Sequence, residues 1–176
     1  MLPHVTLVLG GARSGKSRQA EALVSSLPPP WRYVATGQAL DLEMRERIAL
    51  HRERRGSFWE THEAPLDLGA TIGRLAGDEA PILVDCLTLW LSNQMLGGHD
   101  LGAAIGGLEA ALDMARAPLV LVSNEVGLGI VPENELARRF RDEAGRLNQR
   151  LAARADRVLL MVAGVALQVK GTACPI

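Results

Sequence analysis

At 176 residues and a formal net charge of −1, the chain is long enough for one globular domain with a substantial core, and too near neutral for a general affinity for nucleic acid or an anionic membrane. Its two cysteines, Cys86 and Cys174, make no disulfide framework, and a reducing cytoplasm is the expected compartment. No stretch approaches the length of a membrane helix, and the apolar start Met1–Leu9 lacks the charged beginning of a signal peptide, so a single domain over residues 1–176 is expected.

The first element is a strand over His4–Leu9, apolar and β-branched. It runs into Gly10-Gly11-Ala12-Arg13-Ser14-Gly15-Lys16-Ser17, the pattern G-x-x-x-x-G-K-S, and then into a helix from Lys16 to Leu27. Strand, glycine loop and helix together make a P-loop. The glycines let backbone N–H groups converge on phosphate oxygens, and the helix N-terminus adds partial positive charge. Lys16 is expected to reach the β- and γ-phosphates of a nucleoside triphosphate, and the Ser17 hydroxyl to ligate Mg²⁺.

After the turn at Pro28-Pro29-Pro30, a second strand over Arg32–Ala35 ends at Thr36-Gly37. Asp41 is placed to cap a charged helix over Leu42–Arg55. That helix interleaves Arg45, Arg47, Arg52, Arg54 and Arg55 with Glu43, Glu46 and Glu53. Its plainer reading is an exposed face carrying i,i+4 ion pairs, such as Glu43 with Arg47. His51 stands in its middle, immediately before the cluster Arg52, Arg54 and Arg55. A neutral imidazole is a competent nucleophile toward phosphorus, and neighbouring guanidiniums can neutralise a triphosphate.

A short strand over Phe58–Thr61 precedes Glu63. A carboxylate accepts two parallel hydrogen bonds from the edge of guanine, which adenine does not offer; the plainer reading of Glu63 is an exposed loop acid. A helix over Leu66–Leu75 follows, then a buried strand, Pro81–Asp85. A carboxylate closing a buried strand is the usual partner of the Mg²⁺ shell in a P-loop fold, although Asp85 is also placed to cap the next helix.

Helices over Leu87–Leu96 and Ala103–Ala115 flank Gly97-Gly98, and Leu119–Ser123 is another buried strand. Asn124 and Glu125 follow it. Glu125 either faces the metal or a water, or organises the loop with its neighbour. The longest helix runs from Glu133 to Ala155, with Leu136, Phe140, Ala144, Leu147 and Leu151 at three-to-four spacing. Arg157–Val162 and Val165–Val169 close the chain as a core strand and its hairpin partner. Apolar strands alternating with helices imply an α/β fold with a mostly parallel sheet, covered on both faces, that binds ligands at the carboxyl ends of its strands.

Six blocks carry a resemblance to a known family. They are the whole glycine loop; Ala35-Thr36-Gly37-Gln38; Arg47-Ile48 with His51; Asp85-Cys86-Leu87-Thr88-Leu89-Trp90; Asn124-Glu125-Val126-Gly127 continuing to Gly129-Ile130-Val131-Pro132; and Gly145-Arg146-Leu147-Asn148-Gln149. Together they resemble the bifunctional adenosylcobinamide kinase / adenosylcobinamide-phosphate guanylyltransferase family of cobalamin assembly. The resemblance implies two reactions. A triphosphate, ATP or GTP, phosphorylates the aminopropanol hydroxyl of adenosylcobinamide. GTP then reacts with that phosphate to give adenosylcobinamide-GDP and pyrophosphate, through a guanylylated histidine that aligns with His51. It further implies nucleotide contacts at Gly10 to Ser17, at Ala35, Thr36 and Gly37, at Arg52, Glu53, Arg54 and Arg55, and at Glu63 and Asp85. A RecA-like parallel sheet and a trimer are implied as well. Two other readings share the glycine loop: a simple P-loop small-molecule kinase, in which His51 has no role, and a non-enzymatic RecA-like nucleotide switch.

Overall fold

The computed structural model describes residues 2–38 and 56–171. Seven strands are present among them: β1 (Val5–Gly10), β2 (Trp31–Ala35), β3 (Trp59–Glu63), β4 (Ile82–Asp85), β5 (Leu119–Asn124), β6 (Arg157–Val162) and β7 (Val165–Lys170). The described helices are α1 (Lys16–Ser25), α2 (Leu68–Leu75), α3 (Leu87–Leu96), α4 (Leu101–Met114) and α5 (Glu135–Arg154). The strands form one sheet in the order β3-β2-β4-β5-β1-β6-β7. Every pairing is parallel except β6 with β7, so the antiparallel edge expected from the sequence is present. The helix expected over Leu42–Arg55, with Asp41 as its cap, lies outside the described residues.

Period-two alternation divides the core between the two faces of the sheet. Leu7, Val34, Val84, Leu121 and Val158 pack with apolar side chains of α2, α3, α4 and α5. Val8, Tyr33, Leu83, Val120, Val122 and Met161 face Ala20 and Val24 of α1. Because both faces are covered, β4 and β5 carry apolar residues in succession rather than in alternation with polar ones. Each aliphatic side chain taken fully out of water contributes about 1.5–3 kcal/mol.

Caps and strand pairing move several boundaries by two residues from those expected. The Asp100 side chain accepts from the Ala103 N–H at 3.0 Å, so α4 begins at Leu101 rather than Ala103. Asn134 does the same for α5, accepting from the Ala137 N–H at 2.7 Å, so that helix begins at Glu135 rather than Glu133. β3 extends two residues beyond Thr61, because pairing with β2 continues to Glu63. Glu63 is therefore the last residue of a strand and not part of the loop after it.

Within α5 the apolar stripe is only partly sunk. Ala144, Leu147 and Leu151 are buried, while Leu136 in the first turn is exposed. Glu109 of α4 ties this helix down. Its carboxylate takes two hydrogen bonds from Arg150, at 2.7 and 2.6 Å, and meets Arg154 at 3.0 Å. The Arg150 hydrogen bonds hold the Glu109 carboxyl below the usual carboxylate range.

Candidate active site

The glycine loop joins β1 to α1 at the carboxyl edge of the sheet. Gly15 holds the position before α1 with φ 95°, which disfavours side chains, and offers no side-chain cap. The first-turn N–H groups of α1 are thus left without a capping side chain, as an anion site requires. Gly10 is fixed by space as well: a Cβ there would stand 2.7 Å from the Met161 carbonyl oxygen. The loop is braced from the β6–β7 turn, where the Gly164 N–H donates to the Ser14 carbonyl at 3.0 Å.

Lys16 is only 7% exposed, and its ammonium donates to the Gly11 carbonyl at 2.7 Å, folded back over the loop. Burial lowers its pKa, with the charge of Asp85 among the opposing influences. Lys16, Ser17, Asp85 and Asn124 line one cavity of about 410 Å³, together with Ala12, Arg13 and the end of β4. Residues from the loop after β1, the first turn of α1, and the ends of β4 and β5 thus converge, although β5 separates the P-loop strand from the Asp85 strand in the sheet.

Asp85 does not cap α3. The N-cap position belongs to Cys86, and no side chain accepts a capping hydrogen bond there. The Asp85 carboxylate stays half-buried beside the cavity. Cys86 is buried, and desolvation pushes its thiol up to about 11, so it is neutral at physiological pH. Its peptide is held from the neighbouring strand. The fully buried Thr36 hydroxyl donates to the Cys86 carbonyl at 2.7 Å and accepts from the Cys86 N–H at 2.8 Å. In this structure Thr36 therefore fixes the end of β4. Asn93 secures Thr36 in turn, donating to its carbonyl at 2.8 Å.

The oxygen donors suit Mg²⁺. Ser17 and Asp85 offer a hydroxyl and a carboxylate to one cavity, and among the described residues no cluster of three or more His, Cys, Asp or Glu could hold a metal by itself. Mg²⁺ is normally held in this way, by one or two side chains plus phosphate oxygens and water.

Glu63 pairs with Ala35, and Ala35 pairs with Asp85, so the two carboxylates stand at one level of the sheet, two strand spacings or roughly 10 Å apart. Glu63 is exposed at that edge. Glu125 acts on its own loop: its carboxylate accepts from the Gly127 N–H at 2.6 Å, and its N–H donates to the Gly10 carbonyl at 2.9 Å. His51, Arg52, Glu53, Arg54 and Arg55 lie outside the described residues. Among those described, no histidine lines the cavity beside the glycine loop. His4 bonds the Ala115 carbonyl, His62 lies 4.0 Å from Glu60, and His99 lines a separate cavity between α2 and α4.

The architecture is shared with distant proteins of known structure. The flagellar accessory protein FlaH from Methanocaldococcus jannaschii superposes with a TM-score of 0.55 at 11% identity, over 97% of this chain and 80% of its own. An ATPase from the type III secretion system of pathogenic bacteria gives 0.55 at 12% identity, over 95% of this chain and 57% of its own. These likenesses concern the fold alone. Sequence relationships are closer. The bifunctional adenosylcobalamin biosynthesis protein CobP of Pseudomonas aeruginosa is 50% identical over 168 residues, 94% of this chain and 96% of that protein. The corresponding CobU proteins are 47% identical in Salmonella typhimurium and 43% in Escherichia coli, each over 93% of this chain and 98% of the relative. The family described as cobinamide kinase / cobinamide phosphate guanyltransferase matches residues 6–169, from β1 through the penultimate residue of β7. A P-loop cavity in a RecA-like sheet would suit many enzymes, but a match of this length, running through the segment that carries His51, makes the chain a member of that bifunctional enzyme family.

Proposed function

We propose that this chain phosphorylates the aminopropanol hydroxyl of adenosylcobinamide and then transfers GMP from GTP to adenosylcobinamide phosphate, releasing pyrophosphate. The observation that carries this reading is the family match over residues 6–169, which takes in the glycine loop, the His51 segment and Asp85 together. A single domain spanning residues 1–176 carries both reactions, in the cytoplasm. Among the described residues no helix is long and apolar enough to cross a membrane.

In the first reaction ATP or GTP sits with its β- and γ-phosphates against the loop Gly10 to Ser17. The acceptor oxygen bonds to the γ-phosphorus as the bond from that phosphorus to the bridging oxygen breaks. Lys16 and the N-terminus of α1 offset charge on the phosphate oxygens. Mg²⁺, held by Ser17 and Asp85, supplies further charge neutralisation when bound.

In the second reaction a His51 imidazole nitrogen bonds to the α-phosphorus of GTP, and pyrophosphate leaves with the electron pair of the α–β bridge. An oxygen of adenosylcobinamide phosphate then attacks the same phosphorus, and the P–N electron pair returns to imidazole. Two displacements need a nucleophile that is also a good leaving group, and imidazole is one. Arg52, Arg54 and Arg55 stand beside His51 in sequence and supply charge for the triphosphate, with Glu53 among the nucleotide contacts. Ala35, Thr36 and Gly37 border the nucleotide where β2 ends, and Glu63 reads the guanine edge. This reading is supported by the place of Glu63 at the same sheet level as Asp85.

The test is incubation of the parent and His51→Ala with GTP labelled at the α-phosphate. The parent should acquire a label that is acid-labile and base-stable, as a phosphoramidate is. It should map to the His51 peptide and leave on addition of adenosylcobinamide phosphate. His51→Ala should take no label and lose guanylyl transfer by about a thousandfold or more, while retaining phosphorylation. Label persisting in His51→Ala, or mapping to His4, His62 or His99, would overturn the assignment.

A further inference from the structure

Asn124 is the last residue of β5, the strand lying between the P-loop strand β1 and the Asp85 strand β4. The register pairs Asn124 with Gly10 and Val122 with Asp85, so Asn124 stands two residues beyond Asp85 at the carboxyl edge. It lines the phosphate cavity together with Lys16, Ser17 and Asp85.

Its peptide is clamped from both sides. The Asn124 N–H donates to the Thr88 hydroxyl at 2.7 Å, and its carbonyl accepts from the Asn148 amide at 3.2 Å. Thr88 and Asn148 are 8% and 7% exposed, so α3 and α5 each commit a buried polar side chain to this one residue. Buried polar groups kept on helices at the core are costly unless they fix something. What they fix is backbone. The Asn124 carboxamide is not needed for the clamp, and among the described residues it makes no hydrogen bond of its own. A rigid backbone presenting a neutral amide to a cavity that holds a lysine, a serine and an aspartate is how a ligand-reading group is built.

We propose that the Asn124 carboxamide donates a hydrogen bond to a non-bridging oxygen of the γ-phosphoryl group and stabilises it during transfer to the acceptor hydroxyl. This rests on the phosphate-site reading given under Proposed function. In that step the acceptor oxygen bonds to the γ-phosphorus, the bridging oxygen leaves with its electron pair on the diphosphate, and the hydroxyl proton passes to solvent. Asn124 transfers no proton. Its N–H meets the equatorial oxygens as their charge redistributes, which an aspartate at the same place would oppose by repulsion. In guanylyl transfer the γ-phosphate departs as part of pyrophosphate, so the same contact touches no reacting bond. Thr88 and Asn148 are positioning residues that act through Asn124.

The test compares Asn124→Ala, Asn124→Asp, Thr88→Val and Lys16→Ala, each checked for folding by circular dichroism, in both reactions and in nucleotide titrations. Asn124→Ala should lower kcat for phosphorylation of adenosylcobinamide by about 100-fold, the loss expected for one transition-state donor, with a smaller change in KM for the triphosphate. Guanylyl transfer should fall less than about tenfold. Asn124→Asp, nearly identical in shape, should reduce the preference for triphosphate over diphosphate by about tenfold or more. Thr88→Val should lower phosphorylation kcat partially and leave binding unchanged. Full phosphorylation by folded Asn124→Ala, or an unaltered triphosphate preference in Asn124→Asp, overturns the inference. Unchanged nucleotide binding in folded Lys16→Ala overturns instead the phosphate-site reading beneath it.

Discussion

Asp85 and Glu63 end neighbouring-but-one strands at one level of the sheet, and their surroundings differ. Asp85 is half-buried beside Lys16, where its charge supports the ammonium against the cost of burial. Glu63 is exposed at the far side of β2. Asp85→Asn keeps the shape and removes the charge. The Mg²⁺ concentration for half-maximal activity should rise about tenfold or more, while metal-free nucleotide binding stays level or tightens because a repulsive charge is gone. Titration of Mg²⁺ against both reactions reads this, and an unshifted requirement would remove Asp85 from the metal shell. Glu63→Gln should narrow selectivity for GTP over ATP in nucleotidyl transfer. An amide matches only part of the guanine edge, a loss of about 1–3 kcal/mol. Equal selectivity in parent and variant would mean that the base is read elsewhere.

At the scale of elements, local signals and distant contacts divide what the sequence discloses. The P-loop was legible because strand, glycines, lysine and helix are contiguous. The strands were legible because apolar runs of β-branched residues stand between helices, and the carboxyl-edge rule then brings Lys16, Ser17 and Asp85 to one cavity. The clamp on Asn124 was not legible, since Thr88 and Asn148 lie 36 and 24 residues away and polar residues inside helices carry no mark of their partners. The Thr36 lock on the Cys86 peptide, across 50 residues, was hidden for the same reason. So was the closeness of α2 to α4. A Cβ at Gly69 would stand 2.7 Å from the Gly107 carbonyl oxygen, so the helices approach through two glycines. Gly69→Ala should therefore destabilise by about 1–3 kcal/mol, since a helix backbone must give way. Chemical denaturation measures it. A loss no larger than that of Gly73→Ala on the same helix, where the new methyl meets no atom within 4 Å, would mean that α2 shifts freely.

For the whole molecule, the β6–β7 edge joins the glycine loop to a surface. Val162 and Val165 pair directly across the hairpin, and Leu167 and Val169 continue their face, with all four between 57% and 69% exposed. Four aliphatics on one face of an edge hairpin are an unusual amount of apolar area to leave in water. The two-residue turn between the strands, Ala163-Gly164, has positive φ at both positions, the pattern of a tight hairpin, and it carries the N–H that braces Ser14 in the glycine loop. We propose that a trimer of this chain covers the hairpin face with a second copy, which would give that area a partner and tie assembly to the glycine loop. The double substitution Val165→Glu, Leu167→Glu places charge where an interface needs apolar surface. Both sites are exposed, so folding of the single chain should survive. Sedimentation should give the parent three times the mass of one chain and the variant the mass of one. Nucleotide affinity should fall along with assembly, because the brace on Ser14 is then held by an unsupported edge hairpin. A variant that sediments with the parent would place the interface on another face, and a monomeric parent would end the trimer reading itself.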